Sequence, residues 1–315
     1  MEFIREILAS VFAFPLRFFY NITDSYILAI VLLTVLVRAL LLPASISQQK
    51  NSAKQVRLNT KVNKIRQKYQ GNQQKIQEET QALYQREGFG AANMGCAPML
   101  IQFIVMIGLY EVIYTPLSSV LNFGNGIIEK MQTALNITAD AASKNSSRMI
   151  ELNILGAFEN GKNALSGILN AEQVEALTNL KDKFEIFGLD LSITPKTNEP
   201  GAAWIIPILA FATAMLSSVF MYMRQRKQNP EMAKNPTMGC MTFMSPVMSL
   251  FFTFMFPAGV GFYWIISNIL SFIQQVVLTK IYSPERVIAQ QMVDETVVRR
   301  SKENNAKRRV EIEKK

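Results

Sequence analysis

The sequence contains no histidine and only two cysteines among its 315 residues. The absence of histidine excludes a Ser-His catalytic pair, a histidine-containing zinc site and the usual proton-shuttling side chain. Cys96 and Cys240 alone make a poor metal site, and no aspartate occurs in the long apolar runs that could form an intramembrane aspartyl pair. We therefore expect a protein that is not an enzyme and needs no cofactor or metal.

Charged residues are scarce in five long apolar runs, although the chain has 33 Lys and Arg and 24 Asp and Glu. At a helical rise of about 1.5 Å per residue, each run crosses or nearly crosses a hydrocarbon core about 30 Å thick. Continuous apolar runs favour helices over barrel strands, because a helix satisfies its own backbone hydrogen bonds. We expect an all-α membrane protein with a five-transmembrane-helix bundle. The expected spans are 25–45, 97–117, 202–223, 241–256 and 259–279.

Charge is distributed unequally over the connecting segments. Residues 46–96, 224–240 and 280–315 together hold 23 basic and ten acidic residues, whereas 1–24 and 118–201 hold nine basic and 13 acidic residues. Basic residues near span ends favour the cytoplasmic side. We expect the N-terminus outside, the C-terminus in the cytoplasm, an extracytoplasmic region at 118–201, a cytoplasmic loop at 224–240 and a basic cytoplasmic tail at 280–315.

The N-terminal segment 1–24 has apolar residues at helical spacing up to Pro15, with Glu2, Arg5 and Glu6 on the other side. This pattern predicts an extracytoplasmic, interfacial amphipathic helix. A short sixth span is the alternative, although the uncharged stretch is shorter than a typical span.

The segment 46–96 is patterned as a cytoplasmic helical hairpin. Leu58 and Val62 begin a 4, 3, 4 apolar spacing, and Gly71 provides the turn to the return helix. Its outer face carries Lys54, Lys61 and Lys64 among other lysines. Such an arm is suited to anionic lipid headgroups, ribosomal RNA or a targeting partner, and a solvated loop that follows the positive-inside rule fits equally well.

Arg38 is the most informative residue, because it lies in the apolar run 32–42. A guanidinium at this depth costs about 3 kcal/mol or more, so it is expected to face water or a partner. Two structural alternatives are snorkelling to the inner interface and pairing with Glu111 in the second span. At helical rise, Glu111 lies about 10 Å further from the inner end than Arg38 does, which disfavours direct pairing.

Further polar side chains occur within the expected spans, among them Thr34, Gln102, Asn268 and Gln274. For each residue taken singly, the simplest explanation is that its side chain forms a hydrogen bond to a neighbouring helix. Together with Arg38 they favour a hydrated groove that opens to the cytoplasm and holds polar parts of a client. The methionines of residues 238–255 suit a surface that accepts varied apolar segments, and core filling is the simpler explanation for each one.

Several short motifs in order resemble the YidC family of membrane protein insertases, in its bacterial form, and its mitochondrial and chloroplast relatives. They are the arginine-bearing first span with its basic hairpin, Gly95-Cys96-Ala97-Pro98-Met99-Leu100-Ile101-Gln102, Phe187-Gly188-Leu189-Asp190-Leu191, Phe256-Pro257-Ala258-Gly259, Tyr263-Trp264, Ser267-Asn268 and Gln274-Gln275. The resemblance covers residues 25–117 and 186–282. The insert at 118–185 is larger than in many members, and Glu111 is unusual.

The resemblance implies a membrane protein insertase and chaperone in the bacterial cell membrane, working without nucleotide. It implies that Arg38 and Gln102 line the groove and that Thr34 and Tyr263 face the client segment. It also implies that the hairpin is a mobile element and that the basic tail docks on the ribosome. The tail arginines are Arg299, Arg300, Arg308 and Arg309. The expected partners are nascent membrane-protein segments, the ribosome, anionic lipids and a Sec translocon, with the chain itself a monomer.

Two other classes share these features. A buried arginine also suits a secondary transporter or channel for an anionic solute, but the sequence shows no inverted repeat. A structural assembly factor without insertase activity would share nearly every feature.

Overall fold

The computed structural model describes residues 2–88, 96–137, 149–186, 188–228 and 236–313, with the backbone alone described for 2–6, 96–103, 186, 236–238, 241 and 308–313. The described chain is helical apart from one antiparallel pair of strands, β1 (Glu185–Ile186) and β2 (Leu189–Asp190). The helices are α1 (Glu2–Thr23), α2 (Tyr26–Leu40), α3 (Leu42–Lys68), α4 (Gln73–Arg86), α5 (Cys96–Tyr114), α6 (Pro116–Ser119), α7 (Asn125–Ala134), α8 (Ile150–Leu165), α9 (Ala171–Asp182), α10 (Ile205–Gln228), α11 (Pro236–Thr253), α12 (Ala258–Ile281) and α13 (Pro284–Glu313).

Several helix boundaries lie next to a proline or at a turn of the backbone. Asp24 has a φ of 49° and reverses the chain between α1 and α2. Pro43 lies in the first turn of α3, directly after a break at Leu41. A proline is tolerated there because the first-turn amide has no helical acceptor. Pro116 begins α6 in the same way after a break at Thr115.

The chain divides into two compact units. The first unit comprises residues 1–40, 100–226 and 231–272, and the second comprises 41–99, 227–230 and 273–315. The first contains most of the apolar helices and the segment expected outside the membrane. The second contains most of the basic residues of the expected hairpin and tail.

In the first unit, α2 buries one face made of residues three or four positions apart. Ala29, Ile30, Leu33 and Val37 are all buried, as helical periodicity requires. The helices α10 and α12 approach closely at Gly261, where an added Cβ would lie 2.4 Å from the Ile206 side chain. Small residues at such crossings allow helices in lipid to pack through van der Waals contact.

The segment 118–201, which is expected outside the membrane, has an apolar core of its own. Its helices are α7, α8 and α9. A capping box joins Asn170 and Gln173 at the start of α9, which satisfies two amides that have no helical acceptor. The fully buried side chains here include Met131, Leu152, Ile154, Leu155, Phe158, Leu165, Leu177, Leu180, Phe184 and Leu191.

A buried carboxylate joins this segment to the end of α5. Glu151, at the start of α8, accepts hydrogen bonds from the backbone amides of Leu117 at 2.8 Å and Ser118 at 2.9 Å. It also accepts one from the Ser118 hydroxyl. Burial raises the pKa of Glu151, while these hydrogen bonds act in the opposite direction. The side chain therefore supplies acceptors to the amides that begin the four-residue helix α6.

The strand hairpin continues into the first turn of α12. The amide of Ala258 donates to the carbonyl of Ile193, and the amide of Gly259 donates to that of Leu191, both at 2.8 Å. A Cβ at Gly259 would lie 3.3 Å from the Leu191 carbonyl oxygen, so a small residue suits this position. Two motifs quoted from the sequence, at 187–191 and 256–259, thus meet in the structure.

The second unit contains α3, α4 and α13. The helices α3 and α4 pack together, and Gly71 in the connecting turn has a φ of 93°. The Asn72 side chain caps α4 by accepting from the Lys75 amide. The expected tail at 280–315 is largely the helix α13, which packs on α3.

Two helices are long and apolar enough to cross a membrane within the described residues: 202–228, which contains α10, and α12. The pair α2 and α3 adds a third only if it is taken as one span. Shorter apolar helices cover Ile7–Thr23, Ile104–Tyr114 and Thr242–Thr253. The chain is therefore a helical membrane protein, and the count of five spans stays a prediction.

Candidate functional site

Arg38 is held by α12. Its Nη2 donates to the carbonyl oxygen of Ser267 at 2.8 Å and to the Ser267 hydroxyl at 2.7 Å. The side chain is half-buried, next to Val37 on the packed face of α2. Both acceptors are neutral, so these two bonds orient the guanidinium without cancelling its charge.

Ser267 connects Arg38 to further polar side chains on α12. Tyr263 lies one turn earlier than Ser267, on the same face of α12. The Asn268 amide reaches α10, where it donates to the carbonyl of Ala210 at 3.4 Å and to the Thr213 hydroxyl at 3.3 Å. The described polar residues therefore link α2, α12 and α10 within the first unit.

Aromatic side chains surround Tyr263, which is buried. Tyr110 on α5 makes an edge contact with the Tyr263 ring, with centroids 6.2 Å apart at 89°. Trp264 lies 6.0 Å from Tyr110 and 6.0 Å from Phe256. Tyr263 is thus a packed ring one helical turn from the residue that holds Arg38.

Thr34 is buried rather than exposed, although the resemblance implies that it faces a client. Its hydroxyl donates to the carbonyl of Ile30 at 2.7 Å, which lies one turn earlier in α2. A β-hydroxyl bonded in this way to its own helix is common in apolar helices. In this structure Thr34 packs against protein and uses its donor locally.

The remaining polar residues predicted within the spans have no described contact with Arg38. Gln102 lies in α5, but its side chain is outside the described residues. Gln274 lies on α12 in the second unit and is half-buried. Glu111 is half-buried on α5 and forms no ion pair within the described part of the chain.

Exposed methionines form a stripe on α11. Met244, Met248 and Phe251 recur at spacings of four and three residues on α11, Met255 lies in the turn just after the helix, and all four are exposed. These methionines are surface residues, so core filling, the simpler explanation from the sequence, is wrong for them. Leu28, Leu32, Val35, Leu36 and Leu40 form a second exposed apolar face, on α2.

The basic residues expected to contact lipid or ribosome differ in their surroundings. Lys54 donates to the Glu87 carbonyl at 3.2 Å, and Lys61 forms an ion pair with the Glu87 carboxylate. Lys64 is exposed on α3, and Arg299 and Arg300 are exposed on α13. The side chains of Arg308 and Arg309 lie outside the described residues.

Sequence reasoning missed the role of Ser267. The residue appears in the Ser267-Asn268 motif, but nothing there marks it as the acceptor for Arg38. The available signal is spacing, because Ser267 lies four residues after Tyr263 and therefore on the same face of α12. The partner of a buried arginine on another helix cannot be identified from one sequence alone.

Comparison with known proteins identifies similar chains. The profile of the family described as 60Kd inner membrane protein matches residues 18–285. The membrane protein insertase MisCA of Bacillus subtilis is 26% identical over 250 residues, covering 78% of this chain and 67% of the relative. The membrane protein insertase YidC 1 of Listeria monocytogenes is 24% identical over 266 residues, covering 83% and 67%.

A plant protein is similar as well. The chloroplastic inner membrane protein ALBINO3 of Arabidopsis thaliana is 28% identical over 264 residues, which cover 83% of this chain and 48% of the relative. The matched residues include Arg38, Ser267 and the exposed stripe of α11 within the 18–285 region. These similarities confirm the family resemblance that the sequence motifs predicted.

Proposed function

We propose that this chain, which belongs to the 60Kd inner membrane protein family, is a membrane protein insertase. The observation that carries this function is the half-buried guanidinium of Arg38, oriented by neutral acceptors on Ser267 beside exposed apolar helix faces. The names of the related insertases support the same function. Its substrates are newly made membrane-protein segments.

Arg38 attracts the polar end of a client. A short acidic tail that must cross the membrane gains a charge-assisted interaction with the guanidinium, which offsets part of its desolvation cost. The two Ser267 acceptors fix the position of Nη2, so little side-chain entropy is lost when the client arrives. Asn268 and Tyr263 act as positioning residues for this group, and Gln102 and Gln274 are further groove residues.

The apolar part of the client leaves toward lipid along the methionine stripe of α11. Thioether side chains adapt to differently shaped partners, which suits a surface that receives many sequences. Burial of apolar surface in hydrocarbon supplies about 25 cal/mol per Å², so transfer needs no nucleotide. Thr34, which is buried, supports the packing of α2 in this mechanism.

The membrane arrangement follows the charge asymmetry. We place the chain in the plasma membrane of a bacterium, with five spans, 118–201 outside and 46–96, 224–240 and 280–315 on the cytoplasmic side. The exposed Lys64, Arg299 and Arg300 are the better contacts for anionic lipids or ribosomal RNA, because Lys54 and Lys61 are engaged by Glu87. A Sec translocon is a further proposed partner, and the chain acts as a monomer.

Substitution of Arg38 tests the function. In proteoliposomes, Arg38→Lys retains insertion of a single-span client with an acidic tail, whereas Arg38→Ala lowers it about tenfold or more. A client with a neutral tail depends less on residue 38, because its tail makes no ion pair. The measurement is the protease-protected fraction of client after synthesis on ribosomes.

Arg66→Ala is the matched control, since it removes an exposed arginine from α3 and leaves Arg38 in place. Thermal unfolding in detergent shows whether each variant is folded. Equal insertion of the acidic-tailed client by the native protein, Arg38→Lys and Arg38→Ala contradicts the electrostatic step. Crosslinking of a ribosome-bound client from position 38 supports it independently.

A further inference from the structure

The helix α1 exposes a continuous apolar stripe. Ile7, Val11, Phe14, Phe18 and Ile22 recur every three or four residues, and their exposure ranges from 48% at Ile7 to 79% at Phe14. Such a stripe on one side of a helix requires an apolar environment outside the protein. The nature of that environment depends on how α1 is placed.

The opposite side of α1 is covered by protein. Leu16 is fully buried, and α1 packs on α2 and α6. Leu8 and the ring of Phe12 lie against Gly108 of α5, where an added Cβ would be 2.4 Å from the ring. An amphipathic helix at a membrane surface turns a polar face to water, but this helix turns its second face to other helices.

The contacts of α1 also fix its direction. Arg17 donates to the carbonyl of Ser119 at 3.2 Å and to that of Ser118 at 3.1 Å, at the end of α6. Nine residues earlier, Leu8 meets Gly108, ten residues before Ser118. At helical rise, Leu8 and Arg17 are about 14 Å apart along α1, and Gly108 and Ser118 are about 15 Å apart along the other chain segment. The helix α1 therefore runs beside α5 and parallel to it, with Arg17 near the end of α5 and Leu8 further along toward its start.

The upper end of α1 is fixed to the extracytoplasmic segment. Asp24, in the turn to α2, forms an ion pair with Lys183, and the same ammonium lies 5.7 Å from the centroid of the Tyr20 ring. Arg17 is the basic residue in this half of α1. Its guanidinium donates to carbonyls at the C-terminal end of α6, where the helix dipole favours a positive charge.

We propose that α1 is embedded in the hydrocarbon core beside α2 and α5, with the stripe from Ile7 to Ile22 in contact with lipid acyl chains. The residues Phe14 and Val11 then lie deeper in the membrane than Phe18 and Ile22. The inference rests on α2 and α5 being membrane spans, as proposed above. It replaces the interfacial helix expected from the sequence with the alternative named there, a sixth span, in addition to the five spans proposed above.

Nitroxide spin labels measure the depth of each position. In full-length protein with Cys96→Ser and Cys240→Ser, single cysteines at 11, 14, 18 and 22 are labelled and reconstituted in vesicles. The readout is collision with oxygen, which concentrates in hydrocarbon, relative to a water-soluble nickel chelate. Labels at Leu28 and Val35, exposed on α2, are the depth references.

We expect the oxygen-to-nickel ratio to rise several-fold from position 22 to position 11. Phe14 lies ten residues before Asp24 and Val35 ten residues after Ser25, so labels at 14 and 35 should give similar ratios. If the oxygen-to-nickel ratio is uniform along α1 but graded along α2, the inference about α1 is overturned and the proposed span of α2 stands. Uniform ratios on both helices also overturn the proposed span of α2. Low collision with both reagents at all four positions means that protein covers the stripe, which overturns the inference as well.

Discussion

At the scale of single residues, the proposed function depends on how Arg38 is held. Both described acceptors belong to Ser267, and one of them, the backbone carbonyl, cannot be removed by substitution. The hydroxyl can be removed. A hydrogen bond to a charged group contributes about 1.5 to 3 kcal/mol, so its loss changes the position of the guanidinium but leaves the charge.

We predict that Ser267→Ala lowers insertion of an acidic-tailed client by a few-fold, less than Arg38→Ala does. Ser271→Ala, one turn further along α12, is the control, because it removes a hydroxyl without a described contact to Arg38. The measurement is again protease protection of the client, compared with thermal unfolding of each variant. An effect of Ser267→Ala as large as that of Arg38→Ala would show that the hydroxyl contributes more than orientation.

At the scale of elements, the α13 helix is held on α3 by a bidentate ion pair. Arg57 donates to the two carboxylate oxygens of Glu295 at 2.8 and 3.0 Å. The hydrogen bonds from Arg57 keep the pKa of Glu295 below its ordinary value. Glu295 is largely exposed, so solvent screening limits the pair to about 1 kcal/mol or less.

We predict that Glu295→Gln increases hydrogen exchange of the backbone amides of α13, and that added salt has the same effect on the native protein. A carboxylate with a depressed pKa stabilises the folded form above the ordinary pKa. This contribution is lost as the pH falls through the depressed value, so exchange should also increase in acid.

The control for this prediction is Glu303→Gln, which removes the partner of Arg299 within α13 and leaves Arg57 bonded. The reversed pair, Arg57→Glu with Glu295→Arg, should restore slow exchange. Unchanged exchange in Glu295→Gln would mean that apolar contacts alone hold the helix.

Elements with a clear apolar period could be predicted from the sequence, and others could not. The predicted spans at 202–223 and 259–279 correspond to the long helices α10 and α12 because their residues are continuously apolar. The helix α13 was not predicted, since Arg299, Arg300 and their neighbours give it no apolar face of regular period. In α1, Pro15 suggested an end, but the helix continues to Thr23.

At the scale of the whole molecule, the charge asymmetry predicts which segments face the cytoplasm. The structure supplies a natural probe, because Cys240 is an exposed thiol. With Cys96→Ser, Cys240 becomes the single cysteine of the chain. A membrane-impermeant maleimide then reports the side of the membrane on which the loop 224–240 lies.

We predict that Cys240 reacts in inverted vesicles and is protected in intact cells. A matched control places a cysteine at the exposed Glu175 in α9 and replaces both natural ones, and we expect it to react in intact cells. The opposite labelling of the two positions would reverse the orientation. Labelling of both from one side would contradict the span predicted between them at 202–223.

The site itself was only partly predictable at this scale. The cost of a buried guanidinium pointed to Arg38 from one sequence, because few residues are as expensive in hydrocarbon. Ser267, Asn268 and Thr213 come together only through the packing of three helices distant in the sequence. Packing partners of this kind depend on crossing geometry, which short-range patterns do not encode.

The two backbone hydrogen bonds from Ala258 and Gly259 to the strand segment have a mechanical consequence. They fasten the first turn of α12 to Leu191 and Ile193, and Ser267 lies on the same rigid helix about 12 Å below Gly259. The strand segment and the two acceptors of Arg38 are therefore attached to one uninterrupted helix, so the position of Leu191 and Ile193 relative to Arg38 is fixed by α12.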